Sequence, residues 1–105
     1  MKCEIHLLPT AWEDLKRIED YYILEFGIDS ALKVTDSILN AIERLSEFPD
    51  SGSFTPDEWL NRQGYKMVLS REYAAIYKQF ETDVYIYHIA NTQTEYTKLF
   101  YGKDG

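Results

Sequence analysis

The chain is poor in several features that mark particular classes of protein. Its 105 residues include one cysteine, Cys3, so an internal disulfide is excluded. The apolar stretch near the start is too short and too interrupted for a signal peptide, and no window approaches the length of a membrane span. The chain also lacks internal repeats and low-complexity segments. These absences predict a cytoplasmic protein that forms a single domain over 1–105 and has no contact with a membrane.

Basic residues are also scarce, with eleven Lys and Arg against eighteen Asp and Glu and a net charge of −7. The deficit lies in 1–59, where five basic side chains face thirteen acidic ones, for a charge of −8. Residues 60–105 carry six basic and five acidic side chains, for a charge of +1. Because an acidic surface repels phosphate, a polyanionic partner would have to meet the C-terminal half.

What the chain has in quantity is aromatic side chains, with nine Tyr, five Phe and two Trp. Such a composition argues against intrinsic disorder and favours a packed core. Apolar and polar residues alternate over 3–8, which predicts a strand that ends at Pro9. Thr10 and Glu13 then form the pattern of a capping box, and Gly27 is placed to end the helix that follows. The apolar stripe of this helix is Ala11, Leu15, Ile18, Tyr22 and Phe26.

A second helix is predicted directly after the first. Asp29 or Ser30 would cap its N-terminus, and Pro49 would end it. Because the connection between the two helices is short, they should form a helical hairpin. The apolar stripe of the second helix is Ala31, Val34, Ile38, Ala41 or Ile42, Leu45 and Phe48.

The C-terminal half reads as strands after a loop over 49–64. Strand-like runs occupy 64–70, 73–80 and 84–90, and their short connections imply antiparallel neighbours. A last segment, 94–101, would be a short helix or an extended tail.

The predicted fold is therefore α+β. A helical hairpin covers one face of a mostly antiparallel four-stranded sheet, in the order β-α-α-β-β-β with a short C-terminal tail. The opposite face would have nothing left to cover it. We expect a partner or substrate to bind that face.

Several short motifs occur in a characteristic order and spacing. They are DYY with FG in 20–27, AIERL and FPDSG in 41–52, GYK in 64–66, AIY in 75–77 and VYIY in 84–87. Together they resemble the RelE/ParE toxins of type II toxin–antitoxin pairs, in which growth inhibition and plasmid stabilisation go together. The resemblance implies a cognate antitoxin as partner. It implies neither a cofactor nor a metal.

In the ribonuclease members of that group, the resemblance implies metal-independent cleavage of messenger RNA on the ribosome. Such chemistry needs a base, an acid and a cation that holds the charge on the phosphate. The residues that could be catalytic are His88, Tyr96 and Lys66. Those that could bind substrate are Arg62, Arg71, Lys78, Gln93 and Lys98. Each also has a structural alternative: a hydrogen-bonded histidine at a strand end, a tyrosine that packs the tail, or lysines that discourage aggregation.

The sequence departs from many relatives at Gln93, because they carry one or two arginines in the stretch that matches 90–96. Glutamine brings no charge and cannot replace a guanidinium group on a phosphate. Messenger cleavage stays the first expectation. The alternatives are inhibition of DNA gyrase without catalysis, as in the ParE branch, or an inactive homologue that only binds its antitoxin. The acidic helical half suggests an antitoxin with a basic docking segment.

Overall fold

The computed structural model describes residues 2–55 and 58–92, without the side chain of Phe54. The elements, in chain order, are β1 (Glu4–Leu7), α1 (Pro9–Phe26), α2 (Ile28–Glu43), β2 (Ser53–Phe54), α3 (Glu58–Arg62), β3 (Lys66–Ser70), β4 (Tyr73–Phe80) and β5 (Asp83–Asn91). The predicted α+β fold is confirmed, with β2 as a short additional strand. The predicted segment 94–101 lies outside the described residues. Within the described part, no helix has both the length and the apolar character needed to cross a membrane.

The strands form one mixed sheet in the order β1-β5-β4-β3-β2. The first strand lies parallel to β5, and every other pairing is antiparallel. The pairing of β4 with β5 is interrupted by a bulge: Tyr77 is opposite Ile86 but Ile76 is opposite His88, so Tyr87 is the extra residue. A bulge of this kind changes the direction of the side chains that follow it.

The hairpin of α1 and α2 packs on one face of the sheet and forms the core there. The buried core side chains include Leu15, Ile18, Val34, Ile38, Ile42, Leu45, Ala75, Tyr77, Val84, Ile86 and Ile89. The predicted stripes are right for most positions but wrong for Phe26 and Phe48, which are each 60% exposed. Phe26 is the last residue of α1, and its ring lies on Tyr22 with a centroid separation of 5.4 Å. Phe48 follows the end of α2, where the helical period no longer applies.

The predicted helix caps are wrong at both N-termini. Helix α1 has Leu8 as its N-cap and Pro9 as its first residue, because the fixed φ of proline suits that position. The hydroxyl of Thr10 instead donates to the carbonyl oxygen of Tyr87 on β5, at 2.6 Å. Gly27, with φ +99°, ends α1 as predicted and is also the N-cap of α2, so neither Asp29 nor Ser30 has that role.

Candidate functional site

The sheet face away from the hairpin is the predicted binding surface for a partner or substrate, but the residues at its centre are buried. Ala75 and Tyr77 point into the helical core, so Ala74 and Ile76 lie on the opposite face of β4, since side chains alternate along a strand. Both residues are completely buried. The expectation of a wholly uncovered face is therefore wrong at its centre.

Aromatic rings account for part of this cover. Tyr65, just before β3, and Tyr87, on β5, approach edge to face with centroids 5.2 Å apart. The strands β3 and β5 lie on either side of β4, about 4.8 Å from it. The backbones of β3 and β5 are thus farther apart than the two ring centroids, so both rings extend across β4. Burial raises the pKa of the Tyr65 hydroxyl, and the neighbouring Tyr87 adds to the effect.

A line of stacked and cation–π contacts continues across the same face. The ring of His6 stacks on Tyr85 at 4.9 Å, and Tyr85 meets Phe80 edge to face at 5.8 Å. The Lys78 ammonium lies 4.5 Å from the centroid of Tyr65 and 6.0 Å from that of Phe80. We call this set the aromatic row. Its members are His6, Tyr85, Phe80, Lys78, Tyr65 and Tyr87.

Lys66 does not join the aromatic row. It pairs across β3 and β4 with Tyr77, whose ring is in the helical core, so Lys66 belongs to the hairpin face of the sheet. Its ammonium is 3.7 Å from a carboxylate oxygen of Asp50. The two strand lysines among the candidates, Lys66 and Lys78, therefore lie on opposite faces.

His88 lies at the edge of β5 beside α1. Its Nδ1 is 2.8 Å from Oδ2 of Asp14, a carboxylate that is only 3% exposed. The same oxygen accepts the backbone N–H of Ile89 at 3.0 Å, and Oδ1 accepts a bond from Arg17 at 2.6 Å. We call Asp14, Arg17 and His88 the Asp14 cluster. The carboxylate fixes the orientation of the imidazole, as a buried acid does for a catalytic histidine.

A shallow groove lies beside the Asp14 cluster, between α1 and the end of β5. Its lining includes Arg17, Tyr21, Glu72, Tyr73 and Asn91. One of the lining residues, Glu72, accepts a hydrogen bond from the Tyr22 hydroxyl at 3.2 Å. Burial, and after it the hydrogen bond with Tyr22, raises the pKa of the Tyr73 hydroxyl far above its usual range.

The other predicted site residues are scattered or lie outside the described part. Arg71 is in the turn between β3 and β4 with φ +57°, and Arg62, in the last turn of α3, is 4.0 Å from Glu58. Residues 93–105 are not described, so Gln93, Tyr96 and Lys98 have no structural account. The three described candidates on strands thus have different partners: Lys78 in the aromatic row, Lys66 at Asp50, and His88 at Asp14.

Asp14 is the residue that the sequence predictions missed. A signal for it was available, because Asp14 falls among Ala11, Leu15 and Ile18 on the buried stripe of α1. A carboxylate on a buried stripe must have partners, since a buried charge without them is very costly.

One group of described residues has the side chains and the spacing that a metal ion needs. The ligand atoms of Glu4, His6 and Asp83 lie within 4.8 Å of one another, at the edge of the sheet formed by β1 and β5.

Residues 5–96 match the family model of the ParE toxin of the type II toxin–antitoxin system parDE. The chromosomal ParDE system from P. aeruginosa has a chain of similar structure, with a TM-score of 0.73 and 21% identity over 86% of this chain and 96% of that one. The toxin–antitoxin complex RelBE2 from Mycobacterium tuberculosis gives a TM-score of 0.64 and 16% identity over 87% and 99%. No curated protein matches the chain. At these identities the two structures establish a shared fold.

Proposed function

Because the chain belongs to the ParE toxin family of type II toxin–antitoxin systems, we propose that it is the toxin of such a pair and stops growth by binding its target, without cleaving RNA. The observation that carries this proposal is that Lys66 lies on the opposite face of the sheet from Lys78 and His88, and that His88 is held by Asp14. A general base must come within about 2.6–3.2 Å of the proton that it removes, with a cation close enough to hold the phosphate. Lys66 does not meet this requirement together with His88, because the sheet lies between their side chains.

The target that we propose is DNA gyrase, which the ParE branch inhibits by contact. The charge of the chain supports a protein target. Residues 1–59 carry a net charge of −8, which would repel ribosomal RNA but does not oppose contact with a protein surface. We therefore place gyrase inhibition ahead of messenger cleavage, which was the first expectation from sequence.

The partner that we propose is a cognate antitoxin with a basic, amphipathic segment. The helical half combines its acidic charge with exposed apolar side chains at the end of the hairpin, where Leu24 is 83% exposed and Ile28 is 64% exposed. A segment with both basic and apolar residues would complement this surface in charge and in hydrophobicity. Its folding on binding would order it only in the complex.

The test compares two readouts of the same protein. Purified chain is added to gyrase with relaxed plasmid and ATP, and the chain is induced in cells whose messenger ends are mapped. We expect supercoiling to be inhibited and messages to stay intact. Cleaved messages with normal supercoiling would reverse the order of the two mechanisms.

A pair of lysine variants makes the test sharper. If Lys66 stabilised a reacting phosphate, Lys66→Gln would lower the cleavage rate by roughly 100-fold or more. We expect instead that Lys66→Gln and the exposed control Lys33→Gln arrest growth to the same extent. Both variants remove one positive charge, so a difference between them reports position and not net charge.

A further inference from the structure

The edge of the sheet at β1 and β5 brings together two carboxylates and one imidazole. Glu4 is directly opposite Asp83 in the parallel register, and His6 lies two residues further along β1, on the same face as Glu4. His6 Nε2 is 2.9 Å from Oδ1 of Asp83 and 3.8 Å from Oε1 of Glu4. Both acids therefore converge on one nitrogen, and all three groups are carried by strands.

We propose that Glu4, His6 and Asp83, which we call the edge triad, bind a divalent ion of the zinc class. Zinc bonds to imidazole nitrogen and carboxylate oxygen are about 2.0–2.2 Å long, which at tetrahedral angles separates the ligand atoms by about 3.3 Å. The described separations of 2.9 and 3.8 Å lie on either side of that value. All three ligand atoms lie within 4.8 Å of one another, so movements of about 1–2 Å in these partly exposed side chains bring the nitrogen and two oxygens to bonding distance.

The chemistry of the donors selects the ion. One nitrogen with two oxygens suits Zn²⁺ and its neighbours in the first transition row, whereas Mg²⁺ and Ca²⁺ prefer oxygen ligands alone. His6 and Asp83 have side chains that are 39% and 38% exposed, so water can complete the coordination. Stacking of the His6 ring on Tyr85, with 19° between the planes, holds the ligand nitrogen toward the acids.

A bound ion would join residues that are far apart in the chain. His6 and Asp83 are separated by 77 positions, and among the described strands β1 pairs with β5 alone. The unfolded chain does not hold the three ligands together, so the ion binds the folded state preferentially. Zn²⁺ at a hundredfold excess over Kd should raise the midpoint of thermal unfolding by on the order of 10 °C.

The experiment titrates untagged protein with Zn²⁺ and with Mg²⁺, and follows heat, thermal unfolding and the imidazole ¹⁵N resonances. The chain has two histidines, His6 and His88, so each serves as a reference for the other. We expect one equivalent of Zn²⁺ to shift Nε2 of His6, to leave His88 unchanged and to stabilise the fold, while Mg²⁺ at the same concentration does neither. A shift centred on His88, or no shift and no stabilisation, would overturn the proposal.

Variants separate a built site from diffuse attraction of a cation to an acidic protein. His6→Gln should abolish the stabilisation, and Asp83→Asn should weaken Zn²⁺ binding at least about tenfold. Glu81→Gln is the matched control, because it removes the same charge from an exposed position two residues from Asp83. It should keep binding within about twofold of the parent chain. Equal losses in Asp83→Asn and Glu81→Gln would contradict the edge triad.

Discussion

Asp14 is a buried, charged side chain with several hydrogen-bond partners. Its two oxygens accept bonds from Arg17 and the backbone of Ile89 and contact the imidazole of His88, so one carboxylate ties α1 to the edge of β5. Removal of this carboxylate leaves the buried N–H of Ile89 without its acceptor and His88 without its partner, whereas the 59% exposed side chain of Arg17 is solvated. Such losses cost more than the same interaction at a surface.

We expect Asp14→Ala to lower the free energy of unfolding by about 1–3 kcal/mol, the cost of a buried group left without its hydrogen-bond partner. The matched control is Asp20→Ala on the same helix, where the exposed pair with Lys16 at 3.4 Å is worth at most about 1 kcal/mol. Both variants gain the same helix propensity, so the difference between them isolates the Asp14 cluster. Urea unfolding followed by circular dichroism measures it, and equal midpoints would show that the cluster contributes nothing beyond a surface pair.

At the scale of elements, two glycines hold connections for different physical reasons. Gly27 joins α1 to α2 with φ +99° and ψ 170°, a region that residues with a Cβ rarely adopt, and a Cβ there would have no neighbour within 4 Å. Gly52 has an ordinary φ of −70°, but a Cβ there would collide with the ring and hydroxyl of Tyr77. The first glycine is needed for backbone conformation and the second for space.

We predict that Gly27→Ala and Gly52→Ala each cost about 1–3 kcal/mol, the first from backbone strain and the second from overpacking. Tyr77→Phe separates the two causes. It removes the hydroxyl that would clash with the Cβ of Gly52→Ala. In the Tyr77→Phe background, the loss of unfolding free energy caused by Gly52→Ala should therefore be smaller, while the loss caused by Gly27→Ala stays the same. A double-mutant cycle in urea gives both coupling energies. Coupling of Tyr77 to Gly27, or none to Gly52, would refute this assignment.

For the whole molecule, the tyrosines with raised pKa values determine how the free energy of unfolding changes at alkaline pH. Burial is the main cause that raises the pKa of Tyr22, Tyr65, Tyr73 and Tyr77 above 10. Below pH 10 these hydroxyls are protonated in both the folded and the unfolded chain, so their contribution is fully present. As pH rises above 10, the unfolded chain loses its protons first and the contribution is lost.

The free energy of unfolding should therefore fall above pH 10, by up to about 1.4 kcal/mol per pH unit for each tyrosine that the fold keeps protonated. Tyr73→Phe should make this fall less steep, whereas Tyr21→Phe, at a position that is 53% exposed, should leave the slope unchanged. Urea unfolding from pH 8 to 11 measures the slopes. A pH-independent free energy over that range, or identical slopes in the two variants, would contradict the role of burial.

Much of the fold could be predicted because its signals are local. The apolar spacing through Leu15 and Ile18 predicts α1, and the short connections near 71–72 and 81–82 predict antiparallel strands. Caps were predicted less well, since Thr10 has the right chemistry but makes its hydrogen bond to a distant strand. The candidate site was predicted least well. The positions of its side chains depend on contacts between residues that are distant in the chain, such as His88 with Asp14, which are 74 positions apart.

The sequence by itself determined the order of the long elements, the acidic helical half and the family, because periodicity and motif spacing are properties of neighbouring residues, whereas the short β2 and α3 lie in the predicted loop over 49–64. Only the tertiary structure decided which side chains share a surface. The register of β3 on β4 places Lys66 on the hairpin face, and the bulge at Tyr87 comes directly before His88, which contacts Asp14. The physical reason is that the alternation of apolar and polar residues in a strand is a property of the local sequence. Register and bulges instead follow from the packing of strands and helices on one another.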